Sequence, residues 1–168
     1  MSLQRVIMHW TAGGPSASGL DKEHYHFIVQ QDGQIIAGKM KPEDNASTSD
    51  GKYAAHTLNC NTGSIGVALC GMAGATERPF NAGLHPIRWP QIAVMCSLVA
   101  KLCRQYSISV SRQTVLSHAE VQPTLGIKQR GKWDIAWLPG MAAPADPVQV
   151  GDKLRADISA ALSLMKGA

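Results

Sequence analysis

The chain has 168 residues, 45% hydrophobic and 17% charged; this length suits one domain that buries roughly two thirds of its unfolded surface, and the composition excludes a disordered chain. A net charge of +4 and a pI near 9.0 favour an anionic partner such as nucleic acid, an acidic membrane surface or a wall polymer. The basic residues are scattered apart from Lys128, Arg130 and Lys132, with no aromatic-studded basic ribbon of the kind that binds nucleic acid, and no stretch approaches the length that spans a membrane.

Ser2, Leu3, Gln4 and Arg5 precede a short apolar run and lack the core of a secretory signal, so the chain is expected to be made and kept in the cytoplasm, with Cys60, Cys70, Cys96 and Cys103 reduced. Val6-Ile7-Met8 reads as a strand ending at His9-Trp10-Thr11, before a Gly13-Gly14-Pro15 break. Tyr25 to Gln30 and Gln34 to Ala37 read as a hairpin, because Asp32-Gly33 between them accepts left-handed turn geometry. Residues 39–63 are rich in Asn, Asp, Ser, Thr and Gly and are expected to form a long loop. Ser64 to Gly71 returns to strand character, and the small residues Gly66 and Ala68 leave room for another group to approach.

A Pro- and Gly-punctuated loop, 72–88, leads to Pro90, which suits the first turn of a helix. Ile92, Met95, Cys96, Val99, Leu102, Cys103 and Tyr106 then recur at helical spacing and predict one apolar face lying on a sheet. Cys96 and Cys103 belong to that face as small buried hydrophobes. Thr114-Val115-Leu116 reads as a strand leading into His118, and Leu154, Ile158, Ala161, Leu162 and Met165 as a closing amphipathic helix. Strands alternating with helices predict a mixed sheet packed between helices, with the whole of 1–168 as one domain.

Six histidines need sorting. His9 and His118 each follow a strand-like run at its C-terminal end, where sheets of this class carry their sites, and Asp134 lies beyond a loop after His118. Two imidazoles and a carboxylate with a fourth position left to water make a catalytic zinc set; ordinary hydrogen-bonded polar residues are the competing reading. In an extended segment Lys132 and Asp134 would share a side, where an ammonium can stabilise an oxyanion; otherwise Lys132 is a solvated loop residue. Strand alternation sends Tyr25 to one face and both His24 and His26 to the other, so the three cannot line one site. Tyr25 facing the metal would hold or deprotonate water, a core aromatic being the commoner role for such a residue taken by itself, and His26 is expected to be packed and hydrogen-bonded. His56 and Thr57, in a polar loop, are expected to contact substrate. His85 is expected at the surface.

These segments, in this order, resemble the type 2 N-acetylmuramoyl-L-alanine amidases, whose fold is shared by phage amidases and peptidoglycan recognition proteins. VIMHWTAGG looks like the family's first zinc strand, HYHFIVQQDGQIIAG its tyrosine-bearing hairpin, AAHT with NTGSIGVALCG its substrate loop and central strand, and VLSHAEV followed by GKWD the segment with the remaining ligands. The resemblance implies an α/β single domain with a central mixed sheet flanked by helices. It assigns zinc to His9, His118 and Asp134, a catalytic hydroxyl to Tyr25, and transition-state support to Lys132. Asp134 stands where many phage and recognition-protein members carry cysteine. Ala68 stands where the wall-recycling amidases carry a catalytic glutamate, and this favours a lytic enzyme of the Tyr25 type.

The expected activity is therefore hydrolysis of the bond between the lactyl group of N-acetylmuramic acid and L-alanine in bacterial peptidoglycan. The expected form is a monomeric phage or prophage endolysin that reaches the wall after release. The alternatives are a non-catalytic peptidoglycan-binding module, a host recycling amidase, and a cysteine hydrolase using Cys70 with His56.

Overall fold

The computed structural model describes residues 2–166. In chain order the elements are β1 (Arg5–Trp10), α1 (Gly19–His24), β2 (Phe27–Val29), β3 (Ile35–Ala37), a 3-10 turn (Pro42–Ala46), β4 (Ser64–Leu69), α2 (Trp89–Gln105), β5 (Val115–Ser117), α3 (His118–Leu125) and α4 (Pro147–Lys166). The five strands form one mixed sheet in the order β3-β2-β4-β1-β5. β1 runs parallel to β4 and β5, β2 runs parallel to β4, and only β3 is antiparallel, as the second arm of the Asp32-Gly33 hairpin.

Alternation along the central strands divides the protein into two layers of contact. One face of the sheet presents Val6, Met8, Trp10, Ile65, Val67 and Leu69 to the apolar stripes of α2 and α4, and this is the main core. Pro90 lies in the first turn of α2, and Ile92, Met95, Val99 and Leu102 are buried along that helix as their spacing predicts. Its buried Gln91 ties the helix to the strand ends, donating from Nε2 to the carbonyls of Val29 and Cys70 at 2.8 Å each.

The opposite face carries Ile7, His9, Gly66, Ala68 and Leu116, with His9 level with Ala68 in the register. A smaller apolar cluster of Ile7, Leu116, Cys60 and Val121 fastens α3 and the 39–63 loop to this face. Gly66 is what admits the loop: a Cβ there would lie 2.6 Å from Cγ of the His56 ring. The loop is in turn organised around buried Asn45, which accepts from Ala54 N and donates to the carbonyls of Ala54 and Asn61.

Two short helices differ from the sequence-based expectation. α1 buries none of its residues, so it leaves no apolar periodicity; it is held by a capping box in which Ser18 Oγ accepts from Asp21 N and Asp21 Oδ2 accepts from Ser18 N. α3 begins directly at His118, with Glu120 Oε2 accepting from Ser117 N at 2.7 Å and Gly126 closing it in the left-handed conformation. Arg155 of α4 secures this junction, reaching Glu120 Oε1 at 2.7 Å and donating to the Val115 carbonyl at 2.8 Å. Among the described residues no helix is long and apolar enough to cross a membrane.

Candidate metal centre

Three elements from distant parts of the chain meet at the C-terminal end of the central strands. β1 supplies His9 as its penultimate residue, α3 supplies His118 as its first, and the loop after α3 supplies Asp134. One ligand atom from each side chain falls within 4.8 Å of the others, and all three residues are buried. His9 Nδ1 and His118 Nδ1 are 3.1 Å apart, and Asp134 Oδ2 is 3.5 Å from each.

Burial, opposed by the neighbouring Asp134 and assisted by His118, holds the His9 imidazole down to about 4, so it is neutral at pH 7. Burial alone would raise the Asp134 carboxyl, but His118 and His9 outweigh it and keep the group well below the usual carboxylate range. An ionised carboxylate beside imidazole nitrogens, opening onto solvent on one side, could hold a divalent transition metal.

The opening is a cleft of about 790 Å³ whose lining includes Trp10, His24, Tyr25, Tyr53, His56, Thr57, Asn59, His118, Arg130, Lys132 and Asp134. The cleft thus gathers every site residue expected from the sequence except His9, which lies fully buried behind it. Tyr25 is half-buried with its ring centroid 5.1 Å from that of His9. Burial pushes its phenol above the ordinary value, with Asp134 and Asp21 adding, so it is protonated at neutral pH. Lys132 is exposed on the rim. It faces the same cleft as Asp134, though through a turn rather than an extended strand, since Arg130 and Gly131 both have positive φ.

The expected separation of Tyr25 from both flanking histidines is corrected for His24. His24 closes α1 and Tyr25 is the extended residue after it, so strand alternation does not apply between them and both line the cleft. His26 is packed away as expected, accepting from Gly66 N at 2.9 Å and pairing with Asn45 Oδ1 at 3.0 Å. His85 is half-buried and lies outside the cleft.

His56 and Thr57 are held by Asn61, whose Oδ1 accepts from both backbone N–H groups at 3.0 and 2.8 Å. The His56 ring lies against Gly66, with Nδ1 3.2 Å from His9 Nε2 and 2.8 Å from Thr57 Oγ1, and Nε2 3.2 Å from the Ser64 carbonyl. On the other side His118 Nε2 lies 2.8 Å from Gln129 Oε1. Gln129 and Asn61 escape sequence reasoning: one is an uncharged residue between Lys128 and Arg130, the other one of several loop asparagines, and no local pattern marks either. The Cys70 thiol is pushed up to about 12 by burial and does not line the cleft, and no nitrogen of His56 is paired with it, so a Cys70–His56 nucleophilic pair is not formed.

Among curated proteins the sequence has no match. Solved structures share the fold at low identity. The Staphylococcus aureus hydrolase AmiA, solved with its ligand, superposes with a TM-score of 0.62 at 14% identity, over 99% of this chain and 76% of that one. The N-acetylmuramoyl-L-alanine amidase LysC from Clostridium intestinale gives 0.56 at 15%, over 94% and 87%. The Ph2119 endolysin from the Thermus scotoductus MAT2119 bacteriophage gives 0.53 at 16%, over 91% and 85%. The sequence profile of the Amidase_2 family, described as N-acetylmuramoyl-L-alanine amidase, matches residues 1–140, and with that span covered the chain belongs to this family.

Proposed function

We propose that this protein hydrolyses the amide bond between the lactyl group of N-acetylmuramic acid and L-alanine in bacterial peptidoglycan, with zinc held by His9, His118 and Asp134. The observation that carries the reading is the meeting of those three side chains, within 4.8 Å, at the wall of an open cleft. Two imidazole nitrogens and one carboxylate oxygen fit zinc in its catalytic form, with three protein ligands and one position free. When bound, the ion supplies Lewis acidity, polarising a carbonyl and making water acidic near pH 7.

The chain's own residues then divide the remaining work. The protonated phenol of Tyr25 orients the attacking water and offers a hydrogen bond, rather than serving as the resting base. The Lys132 ammonium on the rim faces the oxyanion that develops on the lactyl carbonyl. One water is consumed: its oxygen bonds to the lactyl carbon, and a proton goes to the departing alanine nitrogen. Only 7% of His56 and 2% of Thr57 are exposed, so substrate meets them as a wall rather than through new hydrogen bonds. The complete trio favours catalysis over mere binding of peptidoglycan.

A lytic role, as a monomeric phage or prophage endolysin, is the form of this activity that the site supports best. Ala68 lies level with His9 on the site face of β4 and offers no proton-moving group there, which leaves the Tyr25 hydroxyl, its ring centroid 5.1 Å from that of His9, to orient the water. Digestion of purified sacculi tests the reaction: free L-alanine amino ends that disappear with chelator and return with zinc are expected, whereas new reducing sugars overturn it. Turbidity loss from whole sacculi, against release of alanine-bearing peptide from soluble muropeptides, separates the lytic role from recycling.

A further inference from the structure

We infer that His56 and Gln129 fix the tautomers of His9 and His118 so that both bare Nδ1 toward Asp134, which makes them positioning residues for the metal. The inference rests on the proposed reading of His9, His118 and Asp134 as a metal site.

A neutral imidazole carries one N–H, and the partner of one nitrogen decides the state of the other. The His56 chain starts from a group with no choice: the Ser64 carbonyl only accepts, so His56 Nε2, 3.2 Å away, carries the hydrogen. His56 Nδ1 is then an acceptor, and it stands 3.2 Å from His9 Nε2. Placing the hydrogen on His9 Nε2 leaves His9 Nδ1 bare. The Thr57 hydroxyl, 2.8 Å from His56 Nδ1 and 3.5 Å from His9 Nε2, rotates to serve either nitrogen and does not reverse this order.

An independent chain fixes His118. Gln129 Nε2 donates to the Leu58 carbonyl at 2.8 Å and lies 3.4 Å from the Ile127 carbonyl, which settles the orientation of its amide. Oε1 therefore faces His118 Nε2 at 2.8 Å, and an acceptor there calls for hydrogen on Nε2 and a bare Nδ1. Both chains end on backbone carbonyls and begin in loops pinned to the sheet, so both lone pairs are aimed before a metal arrives. The rival arrangement has one Nδ1 keeping its hydrogen and donating it to the other Nδ1, 3.1 Å away, or to Asp134 Oδ2, 3.5 Å away.

Long-range 1H–15N correlation spectra of the metal-free wild-type protein test this without any substitution. Both imidazoles are expected to show hydrogen on Nε2 and a bare Nδ1; hydrogen on either Nδ1 overturns the inference. Zinc affinity, measured by competition with a chromophoric chelator, gives a second readout. His56→Asn keeps an acceptor in the place of Nδ1 and is expected to stay close to wild type. His56→Gln moves its amide to the place of Nε2 and should lose about 10- to 100-fold, as should Gln129→Met. Equal affinity in His56→Gln and wild type would overturn the keying alone, whereas wild type that binds no zinc would overturn the metal reading as well.

Discussion

Gly66→Ala is expected to disturb the metal site from the far side of His56. The added methyl would lie 2.6 Å from Cγ and 2.7 Å from Cδ2 of that ring, closer than carbon atoms pack, and neither partner yields easily. Gly66 sits in β4, hydrogen-bonded between β1 and β2 in the middle of the sheet. The His56 ring is pinned at both nitrogens, and its backbone is held by Asn61. Overpacking of this kind costs about 1–3 kcal/mol, and for a chain of this size each kcal/mol lowers Tm by roughly 2–4 °C. Because the ring cannot move without releasing His9, zinc affinity should fall together with Tm. Thermal unfolding of the metal-free protein and chelator competition on the same samples measure the two effects. A variant with unchanged Tm and unchanged affinity would refute the close packing of His56 on β4.

Acid should weaken the metal-free fold through its buried imidazoles. His26, like His9, is held by burial from its ordinary 6.5 down to about 4, so between those values the unfolded chain takes up protons that the folded one refuses, and stability falls as pH falls through that window. Each imidazole contributes roughly 3 kcal/mol to the loss, which levels off below about 4; a Tm that stays flat from pH 7 to 4 would contradict their burial. Lys132→Ala should lower kcat by about 100-fold, the smaller end of the range for losing one oxyanion donor because this lysine is exposed, with KM little changed; steady-state kinetics on a soluble muropeptide decides, and an equal loss in binding would remove Lys132 from the transition state. Arg155→Met leaves Glu120 buried without its cation and should cost about 3–5 kcal/mol in denaturant unfolding; a cost near zero would mean the pair does not hold α4 to α3.

What the sequence disclosed follows from how much each segment buries. β1 and β4 bury every apolar side chain and α2 a continuous apolar stripe, so Val6-Ile7-Met8, SIGVAL and the Ile92-to-Cys103 stripe announce themselves. The Asp32-Gly33 turn was equally plain, because its left-handed glycine is a local requirement. α1 buries nothing and α3 is eight residues long with Pro123 inside it, so periodicity is silent and only the Ser18/Asp21 capping box and the bond from Ser117 N to the Glu120 carboxylate mark them. α1 also shapes the site: because the helix ends at His24, the strand alternation expected over His24-Tyr25-His26 fails and His24 shares the cleft with Tyr25. The convergence of His9, His118 and Asp134, proposed here as ligands, is legible through strand ends and family resemblance together. Its supporting partners are not legible, since Gln129, Asn45 and Asn61 reach His118, Ala54 and His56 only 11, 9 and 5 residues away but do so inside irregular loops whose shape no local pattern encodes.

The most direct measurement is anomalous scattering at the zinc edge from crystals of the zinc-loaded protein. A single strong peak is expected about 2.0–2.2 Å from His9 Nδ1, His118 Nδ1 and an Asp134 carboxylate oxygen together, with its open side toward the cleft. No peak among these three residues, or one held by other side chains, would contradict the account.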